Sequence, residues 1–251
     1  MTDSEAQRHT DFGFEEVPWE EKRDRVRGVF DSVAQRYDVM NDLMSGGLHR
    51  LWKHYALART GLRPGGSALD VAGGSGDLAL GLAAQVGERG RVVLSDINYR
   101  MLERGYRRMV DEGVAPRVRC VLADAERLPF PDRSFDCVTI GFGLRNVTDK
   151  GAALAAMHRV LRPGGRLLVL EFSRPADAIG PIYDVYSFRV LPLLGKLIAN
   201  DAESYRYLAE SIRMHPDQDT LAGMMRDAGL EDVRFHNLTG GIVALHIGFR
   251  Y

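Results

Sequence analysis

A glycine-rich loop flanked by carboxylates is the part of the sequence best suited to bind a charged small molecule. Residues 69–77 read Leu-Asp-Val-Ala-Gly-Gly-Ser-Gly-Asp, with one aspartate before the glycines and one after them. Gly74, Gly76 and Ala79 also satisfy the pattern G-x-G-x-x-A of dinucleotide-binding loops. A tight turn from a strand to a helix satisfies that short pattern without any ligand, so the glycines alone leave the choice of ligand open.

The charges of Asp70 and Asp77 separate the candidate ligands. A pyrophosphate binds to bare N–H donors at a helix N-terminus, and a neighbouring carboxylate repels it by about 1 kcal/mol at contact even in water. S-adenosylmethionine carries a sulfonium and an ammonium and no phosphate, so an acidic loop attracts it. The loop therefore favours S-adenosylmethionine over NAD, and a nicotinamide-dependent dehydrogenase stays as an alternative that NAD binding would reveal.

Acidic residues also end the next two apolar runs after the loop. Asp96 follows about twenty residues further on, where a carboxylate accepts hydrogen bonds from both ribose hydroxyls. Asp124 and Ala125 follow the next run, and their carboxylate and backbone N–H suit an adenine edge, although a turn cap explains Asp124 equally well. Gly141 ends a fourth run and would let a ligand lie close. Because ligands bind beyond the carboxyl ends of parallel strands, we expect these residues and Gly74 to line one crevice.

Apolar runs that alternate with helical patterns predict the elements that position these residues. Five such runs are strand-like: 67–72, 91–96, 117–123, 136–142 and 166–172. Near-continuous apolar strands that alternate with helices are typical of a parallel sheet covered on both faces. Two more apolar runs, on either side of the Thr-Gly-Gly at 239–241, predict a hairpin at the sheet edge. The sequence thus predicts an α/β fold with a seven-stranded mixed sheet.

This alternation predicts a single domain over residues 19–251. Helical spacing indicates N-terminal helices over 20–36 and 49–60. Residues 1–18 are polar and acidic and are predicted to be a flexible leader. The alternation stops over 173–217, a stretch too long for an ordinary connection, so we expect a helical insertion there that covers the substrate.

The composition argues against several classes of protein. The 33 basic and 34 acidic side chains give a formal net charge of −1, without the basic excess typical of nucleic-acid binding. No charge-free stretch is long enough to span a bilayer, and the N-terminus has no secretory signal, so we expect a cytoplasmic protein. Cys120 and Cys137 lie in apolar runs, as buried thiols of a reducing compartment do. The histidines show no metal-ligand spacing, and no metal is predicted.

Four longer motifs narrow the range of functions that the sequence allows. They are YDVMNDLMS at 37–45, GFGLRNV at 141–147, RVLRPGGRLLVLEFS at 159–173 and ESYRYLAESI at 203–212. In this order, and with His49 and Trp52 after the first, they resemble the signatures of the UbiE-type C-methyltransferases of ubiquinone and menaquinone biosynthesis. That family belongs to the class I methyltransferases, which have a Rossmann-like sheet. The resemblance covers the chain from residue 29 to the C-terminus.

The resemblance implies transfer of a methyl group from S-adenosylmethionine to a ring carbon of a polyprenylated quinol. The implied acceptors are demethylmenaquinol and 2-methoxy-6-polyprenyl-1,4-benzoquinol. The cofactor contacts carried over from the family fall on Ser75, Asp96, Asp124, Ala125 and Gly141.

Three positions depart from the family pattern. Ser75 stands where threonine is common, which keeps the hydroxyl. Gly141 stands where serine is expected, which leaves a backbone contact in place of a side-chain hydrogen bond. Ala72 replaces the first glycine of the broader methyltransferase loop, a change that is harmless if the φ of Ala72 is negative.

Arg145 and Tyr37 are the candidate catalytic residues. A quinone ring is too electron-poor to attack a methyl group, so the acceptor must be the quinol, whose ring carbon becomes nucleophilic as a phenolic proton leaves. Arg145 follows the fourth strand and would stabilise the phenolate or order a water that takes the proton; an ion pair that fixes the loop is the alternative. Tyr37 is the second candidate, with closure of the cofactor pocket as its alternative role.

The apolar insertion over 173–217 suits the prenyl tail, either as a buried lid or as a surface on the membrane. Arg189 and Lys196 within it suit an anionic bilayer, so we expect peripheral contact with the inner face of the membrane. A methyltransferase for another small aromatic compound and a non-catalytic, S-adenosylmethionine-binding scaffold of the quinone pathway stay as alternatives. The sequence leaves open a homodimer or an association with other enzymes of that pathway.

Overall fold

The computed structural model describes residues 8–33, 42, 45–177, 179–180 and 202–251. The strands in this part of the chain are β1 (His9–Phe12), β2 (Glu15–Pro18), β3 (Ser67–Val71), β4 (Arg91–Asp96), β5 (Val118–Leu122), β6 (Phe135–Gly141), β7 (Leu161–Phe172), β8 (Glu231–Leu238) and β9 (Val243–Phe249). The α-helices are α1 (Trp19–Val33), α2 (His49–Leu57), α3 (Asp77–Val86), α4 (Tyr99–Asp111), α5 (Lys150–Val160), α6 (Ala202–Met214) and α7 (Gln218–Asp227).

Seven strands form one sheet in the order β5-β4-β3-β6-β7-β9-β8. Strands β3 to β7 run parallel, whereas β9 is antiparallel to both β7 and β8. The predicted mixed sheet, with five parallel strands and a terminal antiparallel hairpin, is confirmed. The strand order reverses between β3 and β6, and a sheet of this kind opens a ligand crevice at that point.

Helices cover both faces of the sheet, which explains why its central strands are apolar on both sides. On one face, α5 and α7 pack against Val138 and Ile140 of β6. On the other face, Cys137 of β6 shares a cluster with Trp52 of α2 and Tyr205 of α6. The central strand β6 is therefore buried on both sides, and the loops at its carboxyl end project from a rigid base.

Strand β7 begins earlier than the sequence indicates. The Pro-Gly-Gly at 163–165 predicts a start at Arg166, but Leu161 already pairs with Phe135 of β6. The Gly164 N–H donates to the carbonyl of Arg250 at 2.6 Å, and the Arg250 N–H donates to the carbonyl of Gly165 at 3.0 Å. The end of the chain thus supplies the hydrogen-bond partners that keep this segment extended.

Residues 9–18, which the sequence assigns to a flexible leader, form the hairpin β1–β2 in the structure. Gly13 makes the turn with a φ of +62°. Phe12 stacks on Tyr207 of α6 with ring centroids 4.2 Å apart, and Asp11 pairs with the buried Lys22 of α1 at 3.3 Å. The partners of this hairpin lie on two helices distant in sequence, so its own polar sequence does not reveal them.

Several predicted features lie outside the described residues. They are Tyr37, residue 178 and residues 181–201 of the predicted insertion, with Arg189 and Lys196. The described part of that insertion contains α6. None of the helices in the described ranges has both the length and the apolar character that a bilayer span requires.

Candidate functional site

The glycine loop turns the chain sharply from the end of β3 into α3. Ala72, Gly74 and Gly76 have φ angles of +49°, +56° and +83°. The replacement of glycine by Ala72 is therefore not free of strain, because a left-handed φ favours glycine. A Cβ on Gly143 would lie 2.7 Å from the Ala72 Cβ, so the loop after β6 lies directly against this strained residue.

Asp70 supports the glycine loop from below. Its side chain is fully buried and accepts hydrogen bonds from Thr139 Oγ1 at 2.8 Å and from the Ala79 N–H at 3.1 Å. Burial raises the pKa of Asp70 to about 7, although these two hydrogen bonds oppose the rise. Asp70 thus joins β3 to β6 and to the first turn of α3. It does not line the cavity that opens at the ends of the strands.

Asp77 faces away from that cavity. Its carboxylate binds Lys53 of α2 at 2.5 Å and Arg108 of α4. Burial would raise the pKa of Asp77, but the two cations outweigh burial and lower it to about 2. Both carboxylates that the sequence places beside the ligand are therefore engaged by partners within the protein, and neither lines the cavity.

A cavity opens beyond the ends of β3, β4, β5 and β6, at the predicted edge of the sheet. Four of the predicted cofactor contacts line it: Gly74, Asp96, Asp124 and Ala125. Helix α1 closes one side with residues that the sequence did not single out: Arg23, Val26, Arg27 and Phe30. The helical periodicity of α1 predicted a buried face, but periodicity does not say which cavity that face covers.

Asp96 is held in a fixed orientation at the end of β4. Its two oxygens accept hydrogen bonds from the Gly74 N–H at 2.9 Å and from the Asn98 N–H at 2.8 Å. Burial raises the pKa of Asp96 to about 6 against the effect of these backbone bonds. A carboxylate accepts about four hydrogen bonds, so both oxygens keep acceptor capacity toward the cavity.

Asp124 connects the cavity floor to α1. It accepts the Glu126 N–H at 3.0 Å, as a turn cap does, and forms an ion pair with Arg23. The cap and the cavity-lining role, which the sequence offered as alternatives, therefore occur together. Ala125 is buried beside it and lines the same cavity.

Ser75 and Gly141, the two other predicted contacts, are not among the residues that line the cavity. Ser75 lies on the opposite side of the glycine loop, in a cleft between α2 and α4. A Cβ on Gly141 would lie 2.8 Å from Leu78 Cδ1, so glycine there lets α3 pack against the end of β6. The structure thus brings together four of the six predicted cofactor contacts.

Arg145 lies next to the cavity, between its lining residues Gly143 and Asn146. Its Nη1 donates to Glu171 Oε1 at 2.8 Å and to the carbonyl of Phe142, and its backbone N–H donates to Glu171 Oε2 at 3.2 Å. Within the described part of the chain, its buried Nε has no hydrogen-bond partner. The ion pair that the sequence offered as an alternative therefore exists, and Glu171, which the sequence analysis did not single out, forms it.

The loop that carries Arg145 is strained and anchored. Phe142 has a φ of +59°, which is uncommon for a residue other than glycine. Asn146 accepts a hydrogen bond from the Tyr207 hydroxyl at 3.0 Å, and burial raises the pKa of that hydroxyl above its usual value. Backbone strain of this kind concentrates at functional sites, where the surrounding structure holds it in place.

The chemistry of the cavity suits a nucleoside with a cationic end. Asp96 offers oriented acceptors to ribose hydroxyls, and the carboxylates of Asp124 and Glu126 also line the cavity. Val26 and Phe30 of α1 add apolar surface on which a flat base can lie. S-adenosylmethionine therefore fits the residues that are present.

Comparison with known proteins gives consistent matches. The sequence pattern described as the ubiE/COQ5 methyltransferase family matches residues 19–250. A Francisella philomiragia protein named "Ubiquinone/menaquinone biosynthesis C-methyltransferase UbiE" is 61% identical over 249 residues, which are 99% of this chain and 100% of that protein. A Marinomonas protein of the same name is 60% identical and covers 96% of this chain and 97% of its own length.

Solved structures support the fold. A SAM-dependent methyltransferase from Aquifex aeolicus superimposes with a TM-score of 0.63 at 18% identity and covers 85% of this chain and 98% of that one. A Thermotoga maritima structure titled a SAM-dependent methyltransferase has a TM-score of 0.63 at 20% identity, over 90% of this chain and all of that one. At these identities the likeness extends to the fold alone.

Proposed function

The chain belongs to the ubiE/COQ5 methyltransferase family, and we propose that it transfers the methyl group of S-adenosylmethionine to a ring carbon of a polyprenylated quinol. It is an S-adenosylmethionine-dependent C-methyltransferase of ubiquinone and menaquinone biosynthesis. The observation that carries this conclusion is the identity of about 60% over nearly the whole chain to relatives of that name. The acceptors in this proposal are demethylmenaquinol and 2-methoxy-6-polyprenyl-1,4-benzoquinol.

The cofactor contacts in this proposal are Gly74, Asp96, Asp124 and Ala125. Asp96 accepts the ribose hydroxyls, because its two backbone hydrogen bonds already aim the carboxylate. Asp124 and the Ala125 N–H bind the adenine edge next to them. Gly74 lets the loop backbone lie close to the cationic end.

Ser75 and Gly141 support the site from outside the cavity. A Cβ at Gly141 would lie 2.8 Å from Leu78 Cδ1, so glycine there allows the Leu78 side chain of α3 to pack closely against the end of β6. Ser75 is buried on the far side of the loop and contributes to its fixed shape. In this arrangement neither the Ser75 hydroxyl nor the Gly141 backbone is required to touch the cofactor.

S-adenosylmethionine supplies the methyl group on a positively charged sulfur. The protein holds the quinol ring carbon in line with that methyl group, and such orientation contributes up to about 7–11 kcal/mol to the barrier reduction. The Arg145 guanidinium stabilises the phenolate that forms when the quinol gives its phenolic proton to water, an effect of about 10² to 10⁴ in rate. The ring carbon then forms its bond to the methyl group as the bond from methyl to sulfur breaks and S-adenosylhomocysteine leaves. Loss of that carbon's own hydrogen as a proton to water restores the aromatic ring. Glu171 orients Arg145 for this role through its hydrogen bonds to the side chain and to the backbone.

Tyr37 is the second catalytic candidate in this proposal. Residues 173–217 are proposed to cover the prenyl tail. We expect contact with the membrane, at its inner face, because the polyprenyl chain of the acceptor partitions into the bilayer. Association with other enzymes of the pathway and a homodimer stay open. The competing function, a scaffold that binds the cofactor without catalysis, predicts binding and no transfer.

Complementation tests the proposed function in a cell. The gene is expressed in a bacterial strain that lacks its own enzyme of this family. The extracted quinones are separated, and their masses are measured by mass spectrometry. We expect the ring-methylated quinones to reappear, and the Arg145→Ala variant to leave the unmethylated precursors in place. Unmethylated precursors with the unaltered protein, at normal expression, would contradict the proposal.

A further inference from the structure

A pocket without carboxylates lies at the β8 edge of the sheet. Its lining includes no acidic residue of the described part of the chain, and it contains Arg59, Arg166, Arg234, His236, Ile247 and Phe249. Its volume of about 330 Å³ falls in the range of small-ligand sites. Arg166 pairs with Cys137 at the start of the parallel part of β7, whereas the proposed cofactor cavity opens beyond the other end of these strands. The two cavities are therefore separate.

The strand register places the side chains of this pocket on one face of the sheet. Arg166 of β7 pairs with Phe249 of β9, and Arg234 of β8 pairs with Ile247 of β9. Directly paired residues of neighbouring strands point to the same face. The Arg166 and Arg234 side chains therefore flank an apolar floor made by Phe249 and Ile247. Arg59, which follows α2, lines the pocket from the helical side.

Two of the three guanidinium groups are held in place before any ligand arrives. Arg166 Cζ lies 5.0 Å from the centroid of the Phe249 ring, and Arg166 Nη1 donates to the Arg59 carbonyl at 3.1 Å. Arg59 Cζ lies 3.3 Å from the centroid of the Tyr55 ring, and Arg59 Nη1 donates to the Tyr55 carbonyl at 3.2 Å. A guanidinium has five N–H donors, so both groups keep donors for a ligand.

The positive charge of the pocket is not compensated by the described residues, among which its three arginines form no ion pair. The acidic residues nearby are engaged elsewhere or lie outside the lining. Asp136 pairs with Arg162 at 2.9 Å, and Asp232 accepts the Tyr251 hydroxyl at 2.8 Å. Glu231 is exposed at the start of β8 and does not line the pocket. Three cations without a carboxylate favour a group with two negative charges over a single carboxylate.

We propose that this pocket binds a small phosphate ester that carries a flat, apolar group. The phosphate oxygens accept hydrogen bonds from Arg166 and Arg234, because the planar fork of a guanidinium matches the geometry of a phosphate. The flat group lies on Phe249 and Ile247. The ligand binds at the same time as S-adenosylmethionine, since the two cavities are separate. The proposal goes beyond the proposed function and does not depend on it.

Calorimetric titration of the full chain with phenyl phosphate tests this site. We expect saturable binding that persists when S-adenosylmethionine is present at a saturating concentration. Inorganic phosphate is expected to bind at least about tenfold more weakly, because it has no ring to bury on the apolar floor. Sodium chloride at the same ionic strength is expected to leave the binding of phenyl phosphate in place, because the phosphate is held by oriented donors.

The Arg234→Gln variant is expected to bind phenyl phosphate about tenfold more weakly, because it loses a charged hydrogen-bond donor to the phosphate. Arg234 is exposed, and it has no hydrogen bond or ion pair with the other described residues, so the variant should fold normally. The matched control is Arg119→Gln, which removes an exposed arginine from β5, the strand at the opposite edge of the sheet. A second control is Arg107→Gln in the cleft between α2 and α4. Both controls are expected to keep the affinity for phenyl phosphate, and all three variants the affinity for S-adenosylmethionine.

Four results would overturn the proposal. The first is the absence of saturable binding to the unaltered protein. The second is an equal loss of affinity in Arg234→Gln and Arg119→Gln, which would report net charge alone. The third is a loss confined to Arg107→Gln, which would place the phosphate in the cleft between α2 and α4. The fourth is displacement by S-adenosylmethionine, which would place phenyl phosphate in the cofactor cavity. Inorganic phosphate that binds as tightly as phenyl phosphate would refute the flat group of the ligand.

Discussion

At the scale of single residues, Arg145 combines a buried ion pair with a position beside the proposed cofactor cavity. The Arg145 and Glu171 side chains are 4% and 1% exposed, so each charge depends on the other in a region of low dielectric. Because Glu171 and the Phe142 carbonyl hold one end of the guanidinium, its other N–H groups are oriented before any substrate arrives. Glu171 is therefore a positioning residue in the proposed mechanism.

Replacing Arg145 by alanine is expected to lower kcat by about 10² to 10⁴ and to leave the Kd for S-adenosylmethionine nearly unchanged, because the lost contact is to the phenolate. Steady-state kinetics and calorimetric titration measure the two quantities. A lone buried Glu171 costs about 3–5 kcal/mol of stability, so the control is Arg145→Ala/Glu171→Gln, which removes both charges. This double variant should regain stability without regaining kcat; equal losses in kcat and cofactor affinity would contradict the role of Arg145.

Asp96→Asn is expected to weaken S-adenosylmethionine binding about 10- to 150-fold. Hydrogen bonds to a charged group contribute about 1.5–3 kcal/mol, and the amide that replaces the carboxylate has one acceptor oxygen instead of two. Fluorescence or calorimetric titration gives the Kd. Asp132→Asn is the control, because Asp132 is 66% exposed and pairs with Arg159 outside the cavity. A Kd of Asp96→Asn within error of the control would refute the placement of the ribose.

At the scale of elements, α1 lines one side of the proposed cofactor cavity and pairs through Arg23 with Asp124 of the same lining. Arg23→Ala is expected to speed cofactor release by up to about fivefold, since an exposed ion pair contributes up to about 1 kcal/mol. Stopped-flow displacement measures the rate. Arg25→Ala on the same helix is the control, because Arg25 pairs with Glu15 and Glu21 and is not part of the lining. If the two variants release the cofactor equally fast, α1 does not act as a cover.

The junction of β3, β6 and α3 depends on Asp70, whose pKa of about 7 lies above its unfolded value of about 3.9. A raised pKa means that the stabilisation is fully present below about pH 4 and is lost as pH rises through about 7. As pH rises over that range, the unfolding free energy of the unaltered protein should fall by on the order of a few kcal/mol relative to that of Asp70→Asn. Denaturant unfolding of both proteins at a series of pH values measures the difference, and a difference independent of pH would contradict the buried, partly protonated carboxyl.

Periodicity predicts correctly those helices and strands that pack against neighbours close to them in the sequence. Helices separate β3 from β4, β4 from β5 and β6 from β7, so these strands and their shared carboxyl edge follow from local signals. The start of β7 was missed because its hydrogen-bond partner is Arg250, at the other end of the chain. The strain at Ala72 was missed for a similar reason, since the loop after β6 packs against it and no local signal reports that contact.

At the scale of the whole molecule, long-range contacts decide which side of the glycine loop each charge faces. The sequence places Asp70 and Asp77 on either side of the loop. In the structure, Asp70 belongs to a buried hydrogen-bond network, whereas Asp77 pairs with cations of α2 and α4. The cavity residues supplied by α1 and the ion pair of Arg145 with Glu171 likewise join segments far apart in sequence. The residues at the strand ends could therefore be predicted, whereas the partners of the charged side chains around them could not.

The hairpin β1–β2 completes the same network from the N-terminus. Asp11 pairs with Lys22 of α1 at 3.3 Å, and Phe12 stacks on Tyr207, whose hydroxyl binds Asn146 beside Arg145. Burial lowers the pKa of Lys22 to about 8. The N-terminal segment thus supports both the cover of the cofactor cavity and the loop that carries Arg145.

An anaerobic methyl-transfer assay with the purified protein tests directly whether this chain methylates a quinol. It contains S-adenosylmethionine with a labelled methyl group and a short-chain demethylmenaquinol or 2-methoxy-benzoquinol, with the oxidised quinone as the matched control. We expect label on the ring carbon of the quinol and none on the quinone, because the ring must be electron-rich to displace the sulfonium. Label on the quinone as well, or cofactor binding without transfer to either quinol, would contradict this prediction.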